Sequence, residues 1–206
     1  MKASLLIALA IFFSLFSCKK DKTPNEYNPN SPSFRVGSKW VYHNSFFDPN
    51  GVINYEFDET YQIEKDTVIN GVKYYEFMPN FYFANKPDGF YEFNKLSNIE
   101  ELIYKVNVSN FDTYTGSFLN TSQTSSCATG FNAYVTNIDT AYTYNTKQYE
   151  KLISVTFNTY PLSCQFRPSY QNDLFSKKIG LMVQRIYHDG NSPAVLQKIN
   201  LKSFTY

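Results

Sequence analysis

The stretch GVINYEFDETYQI, residues 51–63, decides the fold. Ile53, Tyr55, Phe57, Tyr61 and Ile63 fall on one parity, and Asn54, Glu56, Asp58 and Gln62 on the other. A period of two puts one set on each face of a pleated strand, so the stretch predicts a strand with one face buried. Just upstream, Asp48-Pro49-Asn50-Gly51 has the composition of a type I turn closing on glycine. Downstream, Asn70-Gly71 is the strongest short hairpin signal in the chain.

The same grammar repeats outward. Leu102, Tyr104, Val106 and Val108 alternate with Ile103, Lys105, Asn107 and Ser109; later Ile179, Leu181, Val183 and Tyr187, then Val195, Ile199 and Leu201, do likewise. Pro87-Asp88-Gly89, Asp189-Gly190-Asn191 and, more weakly, Tyr144-Asn145-Thr146-Lys147 supply further turns. Strands are predicted at 38–47, 52–64, 72–78, 89–94, 101–108, 131–136, 147–157, 180–188 and 194–205. Hairpin-linked strands form an antiparallel meander, so the expected class is all-β with about 9–10 strands: a curved sheet, a sandwich or a partly closed barrel. Two segments break the rhythm. Ser97-Asn98-Ile99-Glu100 has the spacing of a helix capping box, although the following residues alternate equally well as a strand. Residues 110–130 are rich in serine and threonine and read as a long loop over one end of the sheet, pinned by Cys127.

Composition agrees. Eighteen tyrosines and nineteen phenylalanines, with little alanine, are strand composition. Tyrosine suits half-buried pleats because its ring packs while its hydroxyl stays wet. Nineteen basic against eighteen acidic residues leave no basic stripe, which argues against nucleic acid as a partner.

The N-terminus carries Lys2 and an apolar run over residues 5–16, LLIALAIFFSLF. That run is short of the roughly 20 residues a membrane-spanning helix needs, and a basic start before it is the secretory pattern. Leu15, Phe16 and Ser17 lead into Cys18 in a way that resembles a bacterial lipobox, with bulky Phe16 as the one departure. The resemblance implies removal of residues 1–17 and acylation of Cys18. Two acyl chains, at ~0.8 kcal/mol per buried CH₂, suffice for stable anchoring without a spanning helix. Residues 19–33, KKDKTPNEYNPNSPS, have proline and charge but no apolar period, and read as an extended tether. The organisation expected is a signal peptide over 1–17, a lipidated tether over 18–33 and one folded domain over 34–206. The lysines and aspartate after Cys18 also resemble the export signal of surface-exposed Bacteroidota-type lipoproteins. The cell surface and the periplasmic face of the outer membrane both stay open.

Cys127 and Cys164 form an even pair in an exported domain, which fits a disulfide. Closing that loop would stabilise by roughly 3–4 kcal/mol in the chain-entropy model. Two free thiols are the alternative. Asp66-Thr67-Val68 and Asp139-Thr140-Ala141 match a short O-glycosylation signal resembling that of exported Bacteroidota proteins, which makes Thr67 and Thr140 candidate acceptors. Catalytic constellations are missing: His43 and His188 have no nucleophile in motif spacing, and no serine elbow, zinc helix or phosphate loop occurs. Glu56, Asp58 and Glu59 cluster, but mid-strand, without the glycine turn of a calcium loop. No cofactor or metal is expected.

One set of patterns goes beyond composition. Gly37-Ser38-Lys39-Trp40-Val41-Tyr42 resembles the Gly-x-x-Trp-x-Tyr opening strand of many uncharacterised Bacteroidota lipoproteins. Asn70-Gly71-Val72-Lys73-Tyr74-Tyr75, Gly89-Phe90-Tyr91, Ile179-Gly180-Leu181-Met182 and the closing Leu201-Lys202-Ser203-Phe204 are similar to later strands of that group. The resemblance carries a fold but no active site. The expected role is therefore a lipid-anchored, non-catalytic binding or accessory module for a glycan, lipid or protein. A structural envelope-assembly role beside another membrane protein is the alternative, and a hydrolase the third. Trp40, the single tryptophan, reads first as a core anchor and second as a stacking platform for a ligand.

Overall fold

The computed structural model describes residues 34–78, 81–118, 129–161, 169–189 and 194–206. All regular structure among them is β, in two antiparallel sheets that do not close into a barrel and are consistent with a sandwich.

The first sheet has eight strands. β1 (Lys39–Phe47) and β2 (Ile53–Gln62) stand at one end, and the chain then leaves for the second sheet. That sheet is a plain meander of β3 (Lys65–Ile69), β4 (Val72–Met78), β5 (Phe81–Lys86), β6 (Gly89–Asn94) and β7 (Ile99–Lys105). The chain returns through β8 (Thr113–Phe118), β9 (Thr129–Tyr144), β10 (Lys147–Pro161), β11 (Ser169–Phe175), β12 (Met182–Asp189) and β13 (Val195–Thr205). The larger sheet runs β2-β1-β13-β12-β11-β10-β9-β8, so the first and last strands pair along Lys39–Phe46.

Turn chemistry behaves as the sequence predicts. Asn70 and Gly71 both take positive φ (51° and 79°) between paired Ile69 and Val72, the left-handed pair a two-residue hairpin requires. Gly51 donates to the Asp48 carbonyl at 3.0 Å, while the Asp48 carboxylate accepts from the backbone of Asn50 and Val52. Asn145 and Thr146 make the tip of the β9–β10 hairpin, both at positive φ.

One open reading is settled and two expectations are corrected. The capping-box segment is strand β7, because its Ile103 and Tyr104 are buried in the inter-sheet core while a helix would break the β6 ladder. Residues 113–118, inside the expected loop, are strand β8, whose Gly116 sits so tightly that a Cβ would lie 2.6 Å from the Phe131 ring. Among the described residues the strand count is thirteen, not nine or ten: β3, β5, β8 and β11 are additional.

Trp40, Tyr42, Leu201, Val183, Phe175, Phe157 and Phe131 line the inner face of the large sheet and meet Phe77, Phe90, Ile103 and Tyr104 of the small one. Phe34 caps this core, edge-on to Trp40, Tyr75, Phe77 and Phe90. The long β9–β10 hairpin loses register between Tyr149 and Val155, and Lys151 there takes φ 54°. Bulges bend strands. The distal arm accordingly lies against β13, with Tyr142 donating to Asn200 Oδ1 (2.7 Å), Tyr149 to the Leu201 carbonyl (3.2 Å) and Lys147 to the Lys202 carbonyl (3.0 Å).

Candidate functional site

Between the sheets lies a cavity of about 560 Å³. Ligand pockets typically measure ~300–1,000 Å³, so this one has the room of a small-molecule site. Tyr42, Glu59 and Tyr61 from β1 and β2, and Gln171, Arg185 and Tyr187 from β11 and β12, line it from the inner face of the large sheet. The small sheet contributes Phe77, Phe83, Glu92, Ile103 and Tyr104.

The polar floor is built around Arg185. Its Nε donates to Asp173 Oδ1 (2.9 Å) and Oδ2 (3.1 Å), and its Nη2 to Asp173 Oδ2 (2.7 Å). Nη2 also reaches the Tyr104 hydroxyl at 2.8 Å, and Nη1 the Tyr187 hydroxyl at 3.2 Å. Tyr104 in turn donates to Asp173, and Gln171 Nε2 donates to Asp173 Oδ2 at 3.2 Å. The Asp173 side chain is 0% exposed and that of Arg185 18%, so the pair is buried and bidentate. Because Tyr104 comes from the small sheet and Asp173 and Arg185 from the large one, this cluster also ties the layers together.

Protonation follows from this packing. Burial pushes the Tyr104 hydroxyl well above its ordinary range, and Asp173 adds to the effect while the Arg185 charge opposes it. Burial works against the Arg185 charge more than any single neighbour favours it, but Asp173, Tyr104 and Tyr187 together outweigh it and hold the guanidinium protonated above its usual value. Burial also raises Tyr42, which donates to the Met182 carbonyl at 3.0 Å, and Tyr61, which is raised further by its hydrogen bond to Glu59. The floor is thus a set of neutral hydroxyls around a compensated ion pair.

The inner face does not end at the cavity. Across β12, β13, β1 and β2 the register sets Tyr187, Gln197, Phe46 and Tyr55 in one row, and Arg185, Ile199, Asn44 and Phe57 in the next. The two cavity residues at the head of these rows therefore share a face with three aromatic rings at their foot. Phe46 and Phe57 are nearly parallel (11°, centroids 6.1 Å apart), and Tyr55 lies 5.5 Å from Phe57. Tyr55 is 62% exposed, so this aromatic shelf is open to solvent. Where shelf meets cavity, Asn44 accepts from Gln197 at 3.1 Å while its Nδ2 is buried with no partner.

Comparison with protein-family models, curated proteins and solved structures returns no match. The site is read from its own chemistry.

Residues singled out in the sequence lie elsewhere. His43 is on the outer face, where Nδ1 meets Asp58 Oδ1 at 2.9 Å and Nε2 meets Glu56 Oε1 at 3.3 Å. Ser45 donates to Glu56 (2.9 Å) and Lys202 to Asp58 (2.6 Å). Both ring nitrogens face carboxylates, so neither is available to activate a hydroxyl. The Asp58 hydrogen bond raises the His43 pKa, with Glu56 adding to it; Glu56 is lowered by Ser45 and then His43, and Asp58 by Lys202 and then His43. His188 stacks on Tyr170 at 4.2 Å and meets Asn172 at 3.2 Å. No cluster of three or more metal-ligating side chains occurs among the described residues.

Trp40 is 0% exposed, packed by Phe34 and by Phe77 at 5.2 Å, and its Nε1 is buried with no partner. Neither face of its ring is open to a ligand. Thr67 on β3 and Thr140 on β9 are half-buried strand residues. Cys18, Cys127 and Cys164 lie outside the described residues. Arg185 and Tyr104 of the cavity floor, and the buried Asp173 that holds them, were not singled out by motif reasoning. The signal that finds Arg185 and Glu59 is a charge on an apolar parity: Arg185 between Val183 and Tyr187, Glu59 between Phe57 and Tyr61.

Proposed function

We propose that this protein is an exported, lipid-anchored binding module that takes a small ligand between its two sheets. The observation that carries the reading is the inter-sheet cavity, ring-lined and floored by Arg185 and Tyr104, which the buried Asp173 holds in place. Apolar walls with a few convergent polar groups are the usual composition of a ligand site. In this reading Cys18 carries the acyl chains, residues 19–33 hold the domain off the outer membrane, and the folded part is non-catalytic. The placement of His43 on the opposite face supports that last point, since it leaves the cavity without a histidine base. A hydrolase is the second reading, favoured by one observation: Glu59 and Glu92 line the same cavity and could act as a carboxylate pair.

Two experiments test the proposal. Cell fractionation of Cys18→Ala moves the protein from membrane to soluble fractions; retention in the membrane contradicts anchoring. In the purified full chain, Leu181→Trp fills the cavity and abolishes ligand-induced stabilisation in a thermal-shift screen. Stabilisation equal to wild type puts the ligand elsewhere. Turnover of a bound ligand that is lost in Glu59→Gln would replace the binding module by the hydrolase.

A further inference from the structure

The continuity of cavity and shelf narrows the ligand class. We infer that the ligand is an uncharged glycan chain, one end seated in the cavity and the following sugar units lying on Phe57, Phe46 and Tyr55. This rests on the cavity being the binding site, and goes beyond it by naming the class and the second half of the site.

The chemistry of the cavity excludes the simplest competitors. A hydrocarbon chain would lie against Arg185, Glu59, Glu92, Gln171 and Thr159 and offer none of their remaining donor and acceptor positions a hydrogen bond, which is costly away from water. An anionic ligand would find its one basic lining residue among those described, Arg185, already matched by Asp173, with two further carboxylates in the lining. A polyol meets both demands. Each hydroxyl can donate to a carboxylate or amide oxygen and accept from a guanidinium or amide N–H.

The shelf supplies what a second and third sugar need. The apolar C–H faces of a pyranose pack on aromatic rings, and the shelf offers three rings fixed by mutual contacts on a rigid strand pair. Such a group of rings left open to solvent is itself unusual, since exposed aromatic patches mark binding surfaces. The register fixes the path. Adjacent strands lie about 4.8 Å apart, so the three spacings from Tyr187 to Tyr55 span roughly 14 Å, longer than a single sugar ring.

The test is calorimetric titration of the full chain with neutral glucan, mannan and xylan oligosaccharides, from mono- to hexasaccharide, beside a fluorescent fatty acid and a basic peptide. Affinity for at least one series rises with length over the first three units. Tyr55→Ala with Phe57→Ala weakens the longer members by about tenfold to a hundredfold, the scale of one or two lost ring contacts, and leaves the monosaccharide unchanged. Leu181→Trp weakens both. Cavity binding that is indifferent to length and to the shelf pair overturns this inference but not the binding module. Tight uptake of the fatty acid or peptide, sensitive to Leu181→Trp, overturns the glycan and keeps the cavity. Silence of every probe at millimolar concentration overturns both.

Discussion

Two ionic clusters sit on opposite faces of the same sheet, and they behave differently for one reason. On the inner face, Asp173 is fully buried and Arg185 largely so, and the pair is bound by Tyr104, Tyr187 and Gln171. On the outer face, His43, Glu56, Asp58 and Lys202 make contacts of similar length, with side chains between about a quarter and a half exposed. Hydrogen-bond geometry is comparable; water is not. An inner charge that loses its partner stays stranded in low dielectric, whereas an outer one is rehydrated. The inner cluster is therefore a commitment of the fold, and the outer one a surface trim beside the β9–β10 arm.

The sharpest way to break the contrast is Asp173→Ala. Leaving Arg185 buried and unpaired costs about 3–5 kcal/mol in urea unfolding. Asp173→Leu with Arg185→Met, which removes both charges, recovers most of that loss while abolishing ligand binding. Tyr104→Phe comes next. It removes one hydroxyl that both donates to Asp173 and accepts from Arg185, and lowers stability by about 1–3 kcal/mol.

The outer cluster gives the smallest effects, and its pH dependence has a definite sign. His43 has a raised folded pKa, so its contribution is complete below its ordinary value of 6.5 and disappears as pH rises through the raised one. Glu56 and Asp58 are lowered, so theirs is complete above their ordinary values of 4.5 and 3.8 and disappears as pH falls through the lowered ones. The cluster accordingly contributes most between pH 4.5 and 6.5. His43→Gln flattens the alkaline side of the melting-temperature profile by on the order of 1 °C, the scale of exposed pairs. A shift comparable with that of Tyr104→Phe would erase the distinction between the faces.

How much of this was legible in the sequence depends on which period is broken. Alternation and turn residues gave the all-β class and the hairpins at Asn70-Gly71 and Asn145-Thr146, because those signals are local. They could not show that the chain changes sheets at Ile63 and Glu64, since a strand facing either layer alternates identically. Strand β8 was hidden because Thr113, Thr115 and Ser117 dilute its apolar parity, and Gly116 removes a side chain where Phe131 needs the space. Strand β11 was hidden because its inward positions include Gln171 and Asp173, which are polar members of the Arg185 cluster. Residues that build a polar cluster are those that spoil the pattern of a fold, so the same feature concealed the strand and marks the candidate site.

The most direct measurement is ¹H–¹⁵N chemical-shift mapping of the full chain during titration with the tightest-binding oligosaccharide. Shifts concentrated at Glu59, Tyr61, Arg185 and Tyr187 and running out to Phe57 and Tyr55 are the predicted result. Shifts confined to His43, Lys202 and the hairpin arm would put recognition on the outer face and contradict it.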